Sequence, residues 1–253
     1  MNPIQSTTRS KKTGTPDLSL EIGSALFSQS DGDHTHAFFA PLHYEPKYAY
    51  PLLVWLHGPG YDDERQLIRI MPMISMRNYA AAAPRGFAVA QGDSIEALGW
   101  PQTAERIDGA TERVFDCIDA ATSRFHVERR RIFLGGFDAG GTMAFRIAMN
   151  HPERFAGVLS LGGPFPRGLQ PFGQLIAARR LPAFLALGRD SQVYGPEQAC
   201  DDLRLLHTAG ISVTLRQYPC EHQLSEQMLR DVDRWIMEQI TAPAESPEAS
   251  NSW

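Results

Sequence analysis

The 253-residue sequence predicts an α/β domain built on a mostly parallel sheet flanked by helices. Three observations point there. Short apolar runs alternate with amphipathic stretches. The apolar runs are nearly continuous, as in strands covered on both faces. One of them passes through a glycine-rich turn straight into a helix-compatible segment. At this length one large core is expected, because α/β folds reach about 250 residues as a single unit. Residues 1–16 and 241–253 are rich in Ser, Pro and charged or small residues with little to bury, and read as tails. Residues 17–240 are left as the folded domain.

Taken in order, the clearest strand is 51–57 (PLLVWLH), too short and too apolar for a surface helix and ended by Gly58-Pro59-Gly60. Comparable runs lie at 78–83, 131–134, 156–161, 183–187 and 212–217. Helical periodicity is plain over 103–125, where Ile107, Ala110, Val114, Ile118 and Phe125 share one face. The last helix repeats it with Leu224, Met228, Val232, Trp235 and Ile236. These stripes read as core-facing.

Composition excludes several classes of function. With 24 Lys+Arg against 29 Asp+Glu, the net charge is −5 and no basic stripe exists, so no nucleic-acid partner is expected. Cys117, Cys200 and Cys220 are too few and too scattered for a disulfide framework or a zinc site, which suits a reducing, cytoplasmic setting. Arg9, Lys11 and Lys12 are followed by no apolar segment, so the start does not read as a signal peptide. No run approaches the roughly 18 apolar residues of a membrane span; the strongest is 52–56. His34 and His36 form the only local metal candidate, and a solvated loop is the favoured reading. Neither a metal nor a cofactor is expected, and the partner is a small-molecule substrate or ligand.

The informative segment is 131–150, RIFLGGFDAGGTMAFRIAMN: a strand, a tight turn and a helix. So sharp a turn strains its central residue and needs neighbours without bulky side chains, which accounts for Gly136 and Gly140 two before and two after Asp138. The pattern is G-x-D-x-G.

This segment resembles the nucleophile elbow of α/β-hydrolases, in particular the carboxylesterase/phospholipase-type (dienelactone-hydrolase-like) serine esterases, whose elbow reads G-x-S-x-G. The resemblance runs over roughly residues 35–240 and includes the strand ending in His57-Gly58, the Gly188-Arg189-Asp190 turn and the late His222. It implies an α/β-hydrolase fold, and the segment 162–181 is too short for a large cap domain. The family's order of nucleophile, acid and histidine falls on Asp138, Asp190 and His222. The oxyanion donors it implies are the backbone N–H of Ala139 and one from the loop Gly58, Pro59, Gly60 and Tyr61. Tyr61 is a candidate for the pocket mouth, and Trp100 for substrate contact or packing.

Aspartate at the elbow changes the chemistry. A carboxylate attacking an ester carbonyl would form a mixed anhydride while expelling a far more basic alkoxide. It suits an sp3 carbon better, as in the haloalkane dehalogenases and epoxide hydrolases that use an elbow aspartate. This chain has Ala139 where dehalogenases commonly carry a halide-binding tryptophan, and it lacks room for the cap of the epoxide hydrolases. A third route makes Asp138 or His222 a general base for water. Two readings therefore stand: a hydrolase acting on a small ester-like or electrophilic substrate through an Asp-His-Asp site, and a silent pseudo-hydrolase that binds a ligand or partner. Cys220 is a weak candidate for a substitute nucleophile. Ser160 and Ser191 lie outside any G-x-S-x-G pattern and read as bystanders.

Overall fold

The computed structural model of the protein describes residues 26–31, 34–60, 63–91 and 95–242. The tail expected at 1–16 lies outside these residues, as does the C-terminal one beyond Ala242. Ten strands are described: β1 (Leu26–Asp31), β2 (His34–Phe39), β3 (Tyr50–Leu56), β4 (Ala80–Pro84), β5 (Phe87–Gln91), β6 (Ile95–Gly99), β7 (Val127–Phe137), β8 (Gly157–Leu161), β9 (Ala183–Gly188) and β10 (Val213–Tyr218). Eight of them form one sheet in the order β1-β2-β4-β3-β7-β8-β9-β10, and β5 and β6 pair as a separate hairpin. From β4 to β10 every pairing in the large sheet is parallel, while β1 and β2 add an antiparallel edge.

The helices are α1 (Gln66–Ile74), α2 (Ala104–Arg124), α3 (Ala139–Asn150), the single turn α4 (Leu175–Ala178), α5 (Pro196–Thr208) and α6 (Glu226–Thr241). Strand alternation sorts the core onto two faces. Leu52, Val54 and Leu56 of β3 join the cluster under α2, α3 and α5, while Leu53 and Trp55 join the one under α1 and α6. The two long amphipathic helices start on side-chain caps: Thr103 accepts from the Arg106 N–H at 3.4 Å and Ser225 from the Met228 N–H at 3.2 Å. Each cap satisfies an N–H that the helix itself leaves without a partner.

The segments that escape the apolar pattern have identifiable reasons. β7 starts at Val127, before the expected 131, because Glu128 to Arg130 lie at its solvent-facing lower end, where the register with β3 shifts between Tyr50 and Leu52. α1 contains Pro72, which interrupts the usual helix signal, and α5 buries only Ala199, Asp202 and Leu206. The parallel arrangement delivers the C-terminal ends of β3, β7, β8, β9 and β10 to one edge of the sheet, where open α/β folds bind their ligands.

Three phenols tie this framework together through carboxylate contacts, fully buried at Asp202 and half-buried at Asp231 and Asp233. Tyr79 donates to Asp233 at 2.7 Å, Tyr194 to Asp202 at 3.0 Å and Tyr218 to Asp231 at 2.8 Å. Burial, reinforced by the adjacent carboxylate, pushes all three well above the ordinary tyrosine value of 10.0. A raised folded-state pKa gives stability that is complete below the unfolded value and lost as pH climbs past it. In an alkaline absorbance titration Tyr79, Tyr194 and Tyr218 are therefore expected to ionise only together with unfolding; their titration in the intact fold would contradict these contacts.

Candidate active site

The elbow is made by backbone approach. Asp138 sits at φ 51° and ψ −122°, just before the first residue of α3, and its side chain does not cap the helix. Such a conformation costs about 1–3 kcal/mol outside glycine and persists only where the surroundings impose it. They do so here: the Asp138 N–H donates to the Leu161 carbonyl at 2.9 Å, and its own carbonyl accepts from the Thr142 N–H at 3.0 Å. A Cβ on Gly140 would lie 2.3 Å from the Leu56 carbonyl oxygen, and one on Gly136 would lie 2.7 Å from the same atom. Gly163 is as constrained, since its Cβ would meet the Asp138 carbonyl at 2.2 Å.

His222 reaches the elbow from the loop between β10 and α6. Its Nε2 lies 2.8 Å from Asp138 Oδ2, with the two side chains 18% and 20% exposed. Phe137 stacks on the imidazole at 5.1 Å, and Gly162 at φ 69° leaves room for the ring edge, 3.0 Å from where a Cβ would stand. The other ring nitrogen, Nδ1, meets Ser191 Oγ at 3.2 Å.

The structure thus joins Asp138 and His222 but brings Asp190 to neither. The Asp190 carboxylate turns outward onto Arg189, 3.1 Å away, and the guanidinium holds it below its ordinary value. Its backbone N–H instead donates to the Cys220 carbonyl at 3.0 Å, fastening the turn after β9 to the loop that carries His222. Gly188 permits that contact, since a Cβ there would lie 2.1 Å from the Glu221 carbonyl oxygen. The residue that reaches the imidazole is the next one, Ser191. Sequence reading missed it because the chain offers an acid one position earlier, and one residue of register in a tight turn decides which side chain points inward.

Hydrogen-bond accounting assigns the tautomer. Ser191 Oγ accepts from the Val193 N–H at 3.3 Å and the Tyr194 N–H at 3.1 Å. Both of its lone pairs are then engaged, leaving the hydroxyl proton for Nδ1. Nδ1 is therefore the bare nitrogen, and the Nε2 proton donates to the Asp138 carboxylate.

Among the described residues of the oxyanion loop, two positions offer no free N–H. Pro59 has no N–H, and the Gly60 N–H, at φ 87°, is committed to the Leu98 carbonyl of β6 at 3.0 Å. Tyr61 lies outside the described residues. Gly58 is buried and Ala139 opens α3, a position whose N–H has no acceptor within its own helix. The loop is held from beneath by His57, fully buried, whose Nε2 accepts from the Gly86 N–H at 3.0 Å and whose Nδ1 therefore donates to the Gly58 carbonyl at 2.6 Å. Trp100, 2% exposed, donates to the His57 carbonyl at 3.0 Å, so of the two roles expected for it, substrate contact and packing, its position is the packing one, supporting the loop from inside the core.

Ser160 is fully buried and donates to the Gly163 carbonyl at 2.7 Å, a structural contact. Burial pushes the Cys220 thiol up, away from its reactive form. Among the described residues no group of His, Cys, Asp and Glu is arranged to hold a metal ion.

The sequence profile of the phospholipase/carboxylesterase family matches residues 32–240. The chain belongs to this family. Lysophospholipase-like protein 1 of Mus musculus is 24% identical over 208 residues, covering 74% of this chain and 86% of that protein. The NocK protein of Nocardia uniformis subsp. tsuyamanensis is 34% identical over 122 residues, which is 46% of this chain and only 33% of NocK. The crystal structure of the Bacillus cereus carboxylesterase superposes with a TM-score of 0.66 at 19% identity, covering 83% of this chain and 97% of that one, a likeness of fold. Among the described residues no large cap is present: the segment between β8 and β9 contributes only the single turn α4.

Two outcomes test the site as built. Gly140→Ala is expected to lower stability by about 1–3 kcal/mol, read from the urea midpoint, because the elbow must move off the Leu56 and His57 carbonyls. In nitrogen-15 NMR of the neutral imidazole, the His222 ring is expected to show a protonated Nε2 and a bare Nδ1; the reverse pattern would contradict the assignment.

Proposed function

We propose that this family member has given up acyl transfer at its elbow and serves as a ligand-binding α/β-hydrolase, its ligand lodged against the Asp138–His222 pair. The observation that carries this reading is the order of groups around the imidazole: a carboxylate on Nε2 and a hydroxyl on Nδ1. Acyl transfer by an elbow serine needs a base lone pair facing it, whereas the elbow residue here is a carboxylate that accepts the Nε2 proton. Carboxylate attack on an ester is unfavourable in any case. Tetrahedral intermediates also need preorganised N–H donors, and Pro59 and Gly60 supply none from the loop. The three free thiols Cys117, Cys200 and Cys220 suit a cytoplasmic setting.

A second reading is favoured by the 2.8 Å contact itself, which holds a carboxylate ready beside an imidazole. Asp138 would attack an sp3 carbon and form an alkyl ester, which water would then hydrolyse. Activating that water asks His222 to move its proton from Nε2 to Nδ1, where Ser191 Oγ is already filled by two N–H donors. The binding reading avoids that obstacle.

Hydrolysis of p-nitrophenyl butyrate by the wild type, Asp138→Ser and Asp138→Ser with Pro59→Gly separates the possibilities. Wild type is expected to match the uncatalysed rate. Asp138→Ser, alone or with Pro59→Gly, is expected to stay slow as well, because an elbow serine would need the imidazole proton on Nδ1, where Ser191 Oγ is already filled. Wild-type turnover that disappears in His222→Ala would overturn the binding reading, and release of halide from 1-bromobutane would establish the second.

A further inference from the structure

We propose that Ser191 is a nucleophile, activated by His222 and Asp138 in a relay that runs through the imidazole in the sense opposite to the one an elbow serine would use. Asp138 fixes the Nε2–H of His222 at 2.8 Å, and Nδ1 is thereby presented as the base to the Ser191 hydroxyl at 3.2 Å. This is the hydroxyl–imidazole–carboxylate constellation recognised by geometry and role rather than by position in the chain. Carboxylate and hydroxyl have exchanged places about one ring.

The surroundings of Ser191 favour the deprotonated oxygen. The Val193 and Tyr194 N–H groups both donate to Oγ and would stabilise the charge that develops as the proton moves to Nδ1. The turn is rigidly mounted. Tyr194 donates to Asp202, which is buried, and Asp202 also accepts from the Phe165 N–H at 2.7 Å and pairs with Arg167. Ser191 is 7% exposed, but Gln192 and Val193 beside it are open to solvent, Val193 at 55%. The hydroxyl therefore lies directly beneath the surface of an exposed turn.

The fitting reagent is an activated acyl or sulfonyl group with a good leaving group. With a thioester, the Ser191 proton passes to His222 Nδ1, Oγ gives up the longer bond from the Val193 N–H to free a lone pair, that pair bonds to the carbonyl carbon, and the C–S bond breaks. The departing thiolate takes the proton back from Nδ1, leaving an O-acyl serine and a free thiol. The Val193 and Tyr194 donors are aimed at Oγ and not at the carbonyl oxygen, so the adduct is expected to persist. Ser191 is on this view a site of covalent acylation, compatible with the proposed loss of acyl transfer at the elbow and independent of it.

The test treats the full chain with phenylmethanesulfonyl fluoride, which transfers its sulfonyl group to Oγ and releases fluoride, followed by intact mass and peptide mapping. One adduct per chain, on Ser191, is expected, forming at least tenfold more slowly in Asp138→Asn and in His222→Gln. Access is read separately with Ser191→Cys and iodoacetamide, mapped apart from Cys200 and Cys220. A label on another residue, or one indifferent to His222, overturns the proposal. Alkylation of Ser191→Cys without labelling of the wild type shows a reachable but unactivated hydroxyl, and no reaction in either shows a buried one; both overturn it. Melting curves of each variant confirm that the comparison is made between folded proteins.

Discussion

Everything at the candidate site depends on how closely α3 approaches the end of β3. The backbone at Gly140 passes the Leu56 and His57 carbonyls at distances that leave no space for a methyl group. That approach forces the turn at Asp138, and the turn lifts the side chain out of the sheet edge. Once the turn is formed, the N–H of Asp138 is satisfied by Leu161 of the next strand, so the strained residue is held from both sides. The interaction is a steric permission given by glycine, and it precedes any chemistry.

The chemistry is set by what flanks the imidazole. Two loops deliver the flanking groups: the one after β10 carries His222, and the turn after β9 carries Ser191. They are joined by the Asp190 N–H to Cys220 carbonyl bond, with Gly188 again supplying the space. The ring is therefore gripped by Asp138, Ser191, Phe137 and the edge of Gly162. The fold is that of the family, and the groups around the ring are a carboxylate on Nε2 and a hydroxyl on Nδ1. Because fold and chemistry are separable in this way, belonging to the phospholipase/carboxylesterase family describes the framework and leaves the reaction to the individual side chains.

Much of the fold was legible in the sequence where burial is two-sided or periodic. Residues 51–57 read as a strand because every side chain there is buried, and the long stripe of α2 reads as a helix because one face only is buried. The β5–β6 hairpin, α1 and α5 were not legible. Their stability comes from packing against elements distant in the chain, and their own apolar patterns are short, interrupted by Pro72 or sparse. At the site, Asp138 and His222 were legible from motif and order. Asp190 was a reasonable acid by the same logic, and the structure turns it onto Arg189.

By itself the sequence determined the elbow, since two glycines spaced around Asp138 after an apolar strand admit few other backbones. It also determined what Pro59 cannot do, because a missing N–H is a covalent fact. Only the tertiary structure decided which residue meets His222 Nδ1. Asp190 and Ser191 are neighbours in a tight turn, and local bonds from Val193 and Tyr194 to Ser191 Oγ rotate the turn so that serine faces inward and aspartate faces solvent. The commitment of the Gly60 N–H was also tertiary, because its acceptor, Leu98, lies on a hairpin brought to the loop by folding. Backbone constraints can be read one residue at a time, whereas the sharing of a hydrogen bond requires knowing what else is near.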